Sequence, residues 1–268
     1  MKVHFLGTAA FEGIPSMFCR CDLCQKAKQL GGKNIRTRTS VMIDDELKVD
    51  FPPDTYLHML RDQLDLETIR DLVLTHSHSD HLYAEDLLAR YPGYARSSEH
   101  KIGVYGNDLS ILKCREVLGT GKDKFDLRRV VPFRRTELQT ASIVPLPAYH
   151  DQKETCLIYY IEKNGKAILY GHDSGWFPDE TWEWLRDKKL DLAILECTSG
   201  WLDASTHMNI ESTVRTKERF VEWNMLQLGG QVVVTHFSHN AHLLHEDLLA
   251  IFGPHEITVA YDGMVLQI

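Results

Sequence analysis

The segment 75–82, THSHSDHL, carries side chains whose types and spacing suit metal binding. His76, His78, Asp80 and His81 lie within six positions, directly after the apolar run DLVL. On a tight loop after a strand, the first two can face one ion while the second two face a neighbouring ion. The alternative interpretation is a solvated histidine-rich loop, but an HxHxDH pattern between a strand and a helix favours metal binding.

Three further imidazole or carboxylate side chains, those of His150, Asp173 and His236, also follow strand-like runs. Taken alone, each is a common polar residue at the end of a strand. Together with segment 75–82 they supply a histidine and aspartate set that suits zinc, manganese or iron. Two cations that share a water generate hydroxide near neutral pH and neutralise charge on a phosphoryl group. The set therefore predicts a two-metal hydrolytic centre.

A second cluster of possible ligands is the CxCxxC pattern of Cys19, Cys21 and Cys24. Three thiolates need one more ligand to complete a tetrahedral structural zinc site. The alternatives are a redox pair or three unrelated buried thiols. With no secretion signal in the sequence, disulfides are the weakest interpretation.

The elements that position these residues are short strand-like runs alternating with amphipathic segments, which predicts a layered α/β architecture. Because the polar clusters follow the strand-like runs, we expect them to meet at one edge of a sheet. The pair Asp262-Gly263 between two apolar runs predicts a hairpin. The segments with helical spacing of apolar residues are 80–91, 178–188, 209–223 and 241–252.

Composition sets broader limits. The chain has 268 residues and a net charge of -8, with no linker, repeat or low-complexity tract. We therefore expect one domain over residues 1–268. An acidic balance argues against a dedicated nucleic-acid binder. No apolar run approaches the roughly 20 residues of a membrane helix, and the N-terminus does not resemble a signal peptide, so we expect a cytoplasmic protein without a membrane partner.

The HxHxDH pattern with separate His, Asp and His residues resembles the metallo-β-lactamase fold family. This resemblance implies an α/β fold, the αββα sandwich in which two mixed sheets are flanked by helices. It also implies that Asp173 bridges two ions and that Asp50 orients the histidine loop. The implied ligands are His76, His78 and His150 for one ion and Asp80, His81 and His236 for the other.

The cysteine trio after an early GT turn narrows the resemblance to the PhnP-like phosphodiesterases. Other similar motifs are RTRTSVMI, VPLPAYH, LYGHDSG, LAILECTSG, THMN and AYDGM. The subgroup takes its fourth zinc ligand three residues after the last active-site histidine, which here is His239. It implies a homodimer that hydrolyses a small cyclic phosphodiester such as phosphoribosyl 1,2-cyclic phosphate. Asp80 and His207 are the expected catalytic residues, and the expected metals are two Mn²⁺ (Zn²⁺ second) and one structural Zn²⁺.

Three other functions stay open at this point. A tRNA 3′-processing nuclease shares the core but needs an RNA-gripping arm, for which the sequence offers no obvious place. A thioester hydrolase of the glyoxalase-II type shares the metals but lacks the cysteine trio. A non-catalytic PqqB-like protein keeps the trio but loses active-site ligands, and all seven are present here. Arg36 or Arg38 is a candidate phosphate contact, although a structural role is the commoner one for such a basic run.

Overall fold

The computed structural model describes residues 1–96, 100–119 and 123–268. Within these residues the strands are β1 (Lys2–Gly7), β2 (Ser40–Ile43), β3 (Leu47–Val49), β4 (Asp71–Val73), β5 (Ile102–Gly106), β6 (Phe125–Arg129), β7 (Thr136–Glu137), β8 (Ser142–Pro147), β9 (Leu157–Lys163), β10 (Lys166–Gly171), β11 (Leu190–Glu196), β12 (Leu226–Thr235), β13 (Ile257–Val259) and β14 (Met264–Gln267). The α-helices are α1 (Asp22–Leu30), α2 (Thr55–Asp62), α3 (Asp108–Leu118), α4 (Asp179–Leu185), α5 (Ile210–Glu222) and α6 (His245–Phe252).

The strands form two seven-stranded sheets, and both sheets are mixed. The first has the order β14-β1-β2-β3-β4-β5-β6, and the second has the order β13-β12-β11-β10-β9-β8-β7. In the first sheet the strands from β3 to β6 are parallel and the others antiparallel. In the second sheet β10 to β13 are parallel, and β7 to β10 are antiparallel. The predicted pair of mixed sheets is confirmed.

The two sheets pack face to face, because alternate residues of each strand point to the same side. Phe5 and Val73 of the first sheet share one core with Tyr159, Ile168 and Ile194 of the second. The hydroxyl of Tyr159 donates a hydrogen bond across this core to the carbonyl of Leu74, at 2.8 Å. Each large apolar side chain buried here contributes about 1.5–3 kcal/mol relative to exposure.

Helices cover the outer faces of both sheets and complete the αββα sandwich. Ile111 and Cys114 of α3 pack on the outside of the first sheet. Trp182 of α4, Phe220 of α5 and Phe252 of α6 pack on the outside of the second. The four-layer arrangement predicted from the sequence is therefore confirmed.

Helix α5 shows how local sequence fixes an element beside the candidate site. Asn209 caps its first turn by accepting the N–H of Ser212, and Ser212 returns a bond to the N–H of Asn209. This reciprocal pair satisfies two backbone donors that the first turn leaves without partners. Ile210, Thr213 and Phe220 form its buried face. The helix thus begins at a defined residue, Ile210, three positions after His207.

Two predictions about elements are wrong. Segment 80–91 is not an α-helix but a loop followed by the 3₁₀ helix Ala84–Arg90, because Asp80 and His81 belong to the site loop and Pro92 disfavours helical backbone before it. Asp262-Gly263 does not close a hairpin. β13 pairs with β12 of the second sheet and β14 with β1 of the first, so the turn carries the chain between sheets.

The carboxylate of Asp262 stabilises the turn that carries the chain from one sheet to the other. Asp262 accepts hydrogen bonds from the hydroxyl of Thr8 at 2.8 Å and from the N–H of Thr37 at 2.8 Å.

No helix in the described ranges is both long and apolar enough to cross a bilayer.

Candidate metal centres

The ligand candidates meet at one edge of the sandwich because each follows the end of a strand. His76 and His78 follow β4, His150 follows β8, Asp173 follows β10, and His236 follows β12. β4 runs parallel to its neighbours in the first sheet, and β10 and β12 flank β11 in parallel in the second. The carboxyl ends of such strands share an edge, where α/β proteins place ligands.

The first group contains His76, His78 and His150, whose candidate ligand atoms all lie within 4.8 Å of one another. Nε2 of His150 is 3.3 Å from Nδ1 of His78. Nε2 of His78 lies 3.1 Å from a carboxylate oxygen of Asp151, which fixes the orientation of its ring. This is the set predicted to hold one ion, brought together from two loops of different sheets.

The second group contains Asp80, His81, Asp173 and His236, again within 4.8 Å. Nε2 of His81 is 2.8 Å from Oδ2 of Asp173 and 3.3 Å from Oδ2 of Asp80. Nε2 of His236 is 3.1 Å from Oδ1 of Asp173. All four side chains are buried.

Asp173 lies between the two groups. Its Oδ2 is also 3.4 Å from Nε2 of His76 and 3.8 Å from Nε2 of His150, both of the first group. Its backbone has a φ of 47°, and that of His236 has a φ of 56°. Left-handed conformations are costly for such residues and cluster at functional sites. Asp173 therefore occupies the place of the bridging carboxylate that the resemblance implies.

In four of the histidines, Nδ1 contacts a protein group outside the ligand set. These contacts direct the four Nε2 atoms towards the centre of the site. The Nδ1 contacts are His76 with the Thr75 hydroxyl at 3.0 Å, His81 with Asp50 at 2.7 Å, His150 with the Thr206 carbonyl at 3.3 Å and His236 with the Thr198 hydroxyl at 2.7 Å. Such contacts orient histidines that ligate metals. Nε2 of His76 has no hydrogen-bond partner within the described part of the chain. The donor set fits two divalent cations.

Asp50 links the histidine loop to the first sheet. Besides His81, its carboxylate accepts the backbone N–H of Thr75 at 2.8 Å. It is fully buried and has a φ of 61°, just before Pro52. These contacts to Thr75 and His81 are the ones that the implied orienting role of Asp50 requires.

The electrostatics of the site follow from burial and mutual charge. Burial lowers the pKa of His76 well below its usual value, so its imidazole is neutral and able to bind a cation. Burial alone raises the pKa of Asp173, but His236 and His81 overcome this effect and hold that pKa well below its usual value. The ionised Asp173 and the neutral His76 are in the states in which these groups are ligands. Burial alone lowers the pKa of His81, but Asp80 and Asp173 overcome this effect and raise that pKa well above its usual value, so a cation bound there would take the place of a proton.

Glu196, at the end of β11, is a site residue that the sequence did not single out. It is fully buried and accepts the backbone N–H groups of Ser174 at 2.9 Å and Thr198 at 3.1 Å. Its Oε1 is 3.0 Å from Nδ1 of His207. The motif ECTSG after a strand-like run was the available signal, but a lone glutamate at a strand end is usually structural.

His207 lies beside both groups. Its Nδ1 is 3.6 Å from Oδ1 of Asp173, and its ring centre is 4.7 Å from that of His150. Burial disfavours its charged form, but Glu196 and then Asp173 raise the pKa of His207 to about 9. His207 also belongs to a group of four candidate metal ligands with Asp173, Glu196 and His236. The bond to Glu196 places a proton on Nδ1 and leaves Nε2 for another partner.

The cysteine trio and His239 form a separate group, with all ligand atoms within 4.8 Å. Nδ1 of His239 is 3.6 Å from Sγ of Cys21, so two segments distant in sequence meet here. Three sulfurs and one imidazole suit tetrahedral zinc. Burial raises the pKa of Cys21, but hydrogen bonds from Cys24 and His239 reverse this and lower it to about 6.

Several other candidates lie elsewhere. Arg36 is buried and donates to the hydroxyl of Thr8 and the carbonyl of Ala260, both at 2.7 Å. Arg38 pairs with Asp54 at 3.1 Å. The structural interpretation of the basic run is therefore the one that these contacts support. His172 belongs to neither metal-ligand group; it is buried, with its ring 4.1 Å from that of Tyr170.

The sandwich of two mixed sheets with a histidine- and aspartate-rich edge defines a dinuclear metal-binding fold. A family model described as the beta-lactamase superfamily domain matches residues 51–237, and the chain belongs to this superfamily. The match includes all seven ligand candidates and ends just before His239. No curated protein sequence matches the chain.

Solved structures share the fold over the whole chain. A diphosphatase from the PhnP family is 24% identical, with a TM-score of 0.76 over 100% of this chain and 97% of that one. Zn²⁺-bound PqqB from Methylobacterium extorquens is 18% identical, with a TM-score of 0.77 over 100% of both chains. The short form of human tRNase Z is 19% identical, with a TM-score of 0.68 over 100% and 99%. At these identities the likeness concerns the fold.

Proposed function

We propose that the chain is a metal-dependent phosphodiesterase acting on small phosphodiesters, with cyclic ones such as phosphoribosyl 1,2-cyclic phosphate as the preferred class. The observation that carries this proposal is the position of His207, beside both ligand groups and hydrogen-bonded to a buried glutamate. A proton donor in this position is what the departure of an alkoxide from phosphorus requires. The cysteine and histidine cluster supports the PhnP-like subgroup.

Two divalent cations bound to the two groups, Mn²⁺ by first choice and Zn²⁺ by second, would supply an acidified water and neutralise phosphoryl charge. The protein residues do the rest. The ligand candidates fix the geometry of the site; those that are buried are His76, Asp80, His81, Asp173 and His236, whereas His78 is partly exposed. The ordered positions of these side chains mean that little reorganisation is needed at the moment of reaction.

Proton transfer to the leaving oxygen is assigned to His207. A water that has released one proton to solvent forms the new P–O bond through its oxygen, and the P–O bond to the leaving oxygen breaks. Nε2 of His207 gives the leaving oxygen a proton and later regains one from solvent. Glu196 keeps the other ring proton on Nδ1 and stabilises the charged imidazolium before the transfer. Glu196 is therefore a positioning residue, and His207 is the general acid.

The alternatives are weaker on specific grounds. Between His150 and Asp173 the chain forms only the β9–β10 hairpin and its flanking loops, which leaves no RNA-gripping arm there. Hydrolysis of a thioester releases a thiolate, which needs no proton from a general acid. A thioester hydrolase would therefore not need the pair of Glu196 and His207. A non-catalytic PqqB-like protein would not need seven ligand candidates gathered at one edge.

The test is a screen of purified, metal-loaded protein against cyclic phosphodiesters, linear phosphodiesters, a thioester and a lactone. We expect metal-dependent turnover of phosphodiesters, fastest for the cyclic ones, and loss of that turnover in Asp80→Ala. Turnover of the thioester or lactone alone would overturn the proposal, as would failure to hydrolyse any phosphodiester with both metals bound.

A further inference from the structure

A second cavity, of about 460 Å³, lies next to the cavity of about 390 Å³ that contains the metal-ligand candidates. His207 lines both cavities and so marks their boundary. The second cavity is otherwise lined by aromatic and polar side chains, among them Tyr149, Trp176, Asp203 and Arg215. Its volume is in the range of cavities that bind small organic ligands.

The shape of this cavity is fixed by contacts between the loops around it. The N–H of Gly175 donates to the carbonyl of Tyr149 at 3.0 Å, and the N–H of Tyr149 donates to the hydroxyl of Ser174 at 2.9 Å. A Cβ atom at Gly175 would lie 1.8 Å from the carbonyl oxygen of Ser205, so these two loops touch through backbone. The walls are therefore set before any ligand enters, which lowers the entropic cost of binding.

Arg215, on the exposed side of α5, is held in place without a carboxylate partner. Its guanidinium carbon lies 4.5 Å from the centre of the Trp176 ring. No ion pair involves Arg215 in the described ranges of the chain, and Asp203 on the same wall is 3.2 Å from the side-chain amide of Asn209. Stacking on an aromatic face leaves the N–H donors of a guanidinium free to bind two oxygens of an anion.

Since His207 gives its proton to the leaving oxygen, the leaving group must lie on the His207 side of the phosphorus, towards the second cavity. We propose that this cavity binds the leaving group and that Arg215 there binds an anionic substituent, a phosphate or a carboxylate. This inference rests on the proposed phosphodiesterase function and assigns to Arg215 the contact with a second negative charge on the leaving group. Glu211 also lines the cavity, so the anion must bind on the Arg215 side, away from that carboxylate.

A matched pair of substrates tests this assignment: ribose 1,2-cyclic phosphate with and without a 5-phosphate, which share one scissile bond. We expect the wild type to prefer the phosphorylated diester at least tenfold in kcat/KM. Arg215→Ala should remove that preference by slowing the phosphorylated diester about tenfold or more, as for a lost charge-assisted contact. Turnover of the other diester should stay within about twofold.

Arg219→Ala is the matched control. Arg219 lies 4.6 Å from the same Trp176 ring, and it also contacts the rings of Trp182 and Trp223, but it does not line the cavity. This variant therefore loses stacking contacts and no group that lines the cavity. It should keep the preference. An equal loss for both diesters in Arg215→Ala, the same loss in Arg219→Ala, or a wild type without preference would each overturn the assignment.

A binding measurement separates this inference from the proposed function. We expect titration with ribose 5-phosphate, followed by tryptophan fluorescence and by calorimetry, to give weaker binding in Arg215→Ala than in the wild type and Arg219→Ala. If neither diester is hydrolysed but this difference is found, the phosphodiesterase proposal fails and the anion site stands. Equal affinity in all three proteins would overturn the anion site even if both diesters are hydrolysed.

Discussion

Nδ1 of His207 lies 3.0 Å from Oε1 of Glu196, a carboxylate that is fully buried at the end of β11. The same carboxylate is fixed by two backbone N–H groups, from Ser174 and Thr198. Ser174 directly follows Asp173, so one glutamate connects His207 with the loop that carries Asp173. If His207 donates a proton and Asp173 binds metal, as proposed, Glu196 links the two functions.

Glu196→Gln is expected to lower kcat about 10- to 100-fold while both active-site metals are retained, the size of effect seen when a group that orients a functional histidine is removed. The amide keeps the shape but no longer stabilises the charged imidazolium. His207→Ala should cost more, about 100- to 10,000-fold, because the proton donor itself is gone. Steady-state kinetics with metal analysis of each variant provide the check.

A substrate whose leaving group needs no proton is the control for these two variants. A 4-nitrophenyl ester releases a phenolate that departs without a proton. With this substrate, kcat of Glu196→Gln and His207→Ala should come within a few-fold of the wild-type value. A deficit of the same size for aryl and alkyl esters would mean that His207 acts on the structure of the site rather than on the leaving oxygen. Loss of metal in His207→Ala would make it a ligand.

The number of metal ions bound by variants of the two ligand groups should differ. His150→Ala removes one ligand of the first group and should lower the active-site content from two ions to one. Asp173→Ala should lower it further, because its carboxylate contacts histidines of both groups. His242→Ala, an exposed histidine outside every ligand group in the described ranges, should keep all ions. Elemental analysis after dialysis measures the difference, and equal contents in His150→Ala and Asp173→Ala would contradict the bridging position.

The sequence was sufficient to predict much of the site, because its ligands follow strand ends and carry an unusual spacing. Residues of the HxHxDH segment lie within one loop, so their proximity follows from chain connectivity alone. Glu196 was missed because its importance comes from contacts with Ser174, Thr198 and His207, which depend on how three loops pack. Arg215 was missed for the same reason, since an exposed arginine on a helix gives no sequence signal.

The errors in the fold have a similar origin. Asp262-Gly263 has the local chemistry of a hairpin turn, but which strands pair is decided by distant partners, β12 and β1. Helices α1, α2 and α3 were not predicted because their apolar faces are short, with few buried residues each. Helix α5 was found because its amphipathic pattern is long and its cap is strong.

The cysteine group gives a prediction about stability. Cys21→Ser should remove one equivalent of zinc and lower the melting temperature by at least ~5 °C, since each 1 kcal/mol is worth about 2–4 °C in a protein of this size. The zinc group ties the start of α1 to the segment after β12, and both would loosen. Cys114→Ala, a buried cysteine outside the group, should keep its zinc. Retention of all zinc in Cys21→Ser would show that this group does not bind it.

Lys48 is a buried amine without a carboxylate partner at ion-pair distance among the described residues. Its side chain is fully buried between Met42 and Leu72 on neighbouring strands, and its ammonium group donates to the hydroxyl of Ser40. Burial lowers the pKa of Lys48 from 10.5 to about 7, although Asp50 partly opposes this. As pH rises, the folded state therefore loses this proton near pH 7, well before the unfolded state loses it near pH 10.5.

Lys48→Met is therefore expected to stabilise the protein most at pH 7 and below, and least near pH 10. Between pH 7 and 10.5 the unfolded wild type binds more protons than the folded one, so the free energy of unfolding of the wild type rises with pH. The slope from this group is up to about 1.4 kcal/mol per pH unit. Methionine fills a similar volume and has no proton to lose. The gap in free energy of unfolding between the variant and the wild type should therefore close as pH rises. Urea unfolding of both proteins at pH 6 to 10 measures that gap, with the exposed Lys101→Met as the control in which no gap should open. A constant gap at every pH would show that Lys48 keeps its proton in the folded state throughout the range.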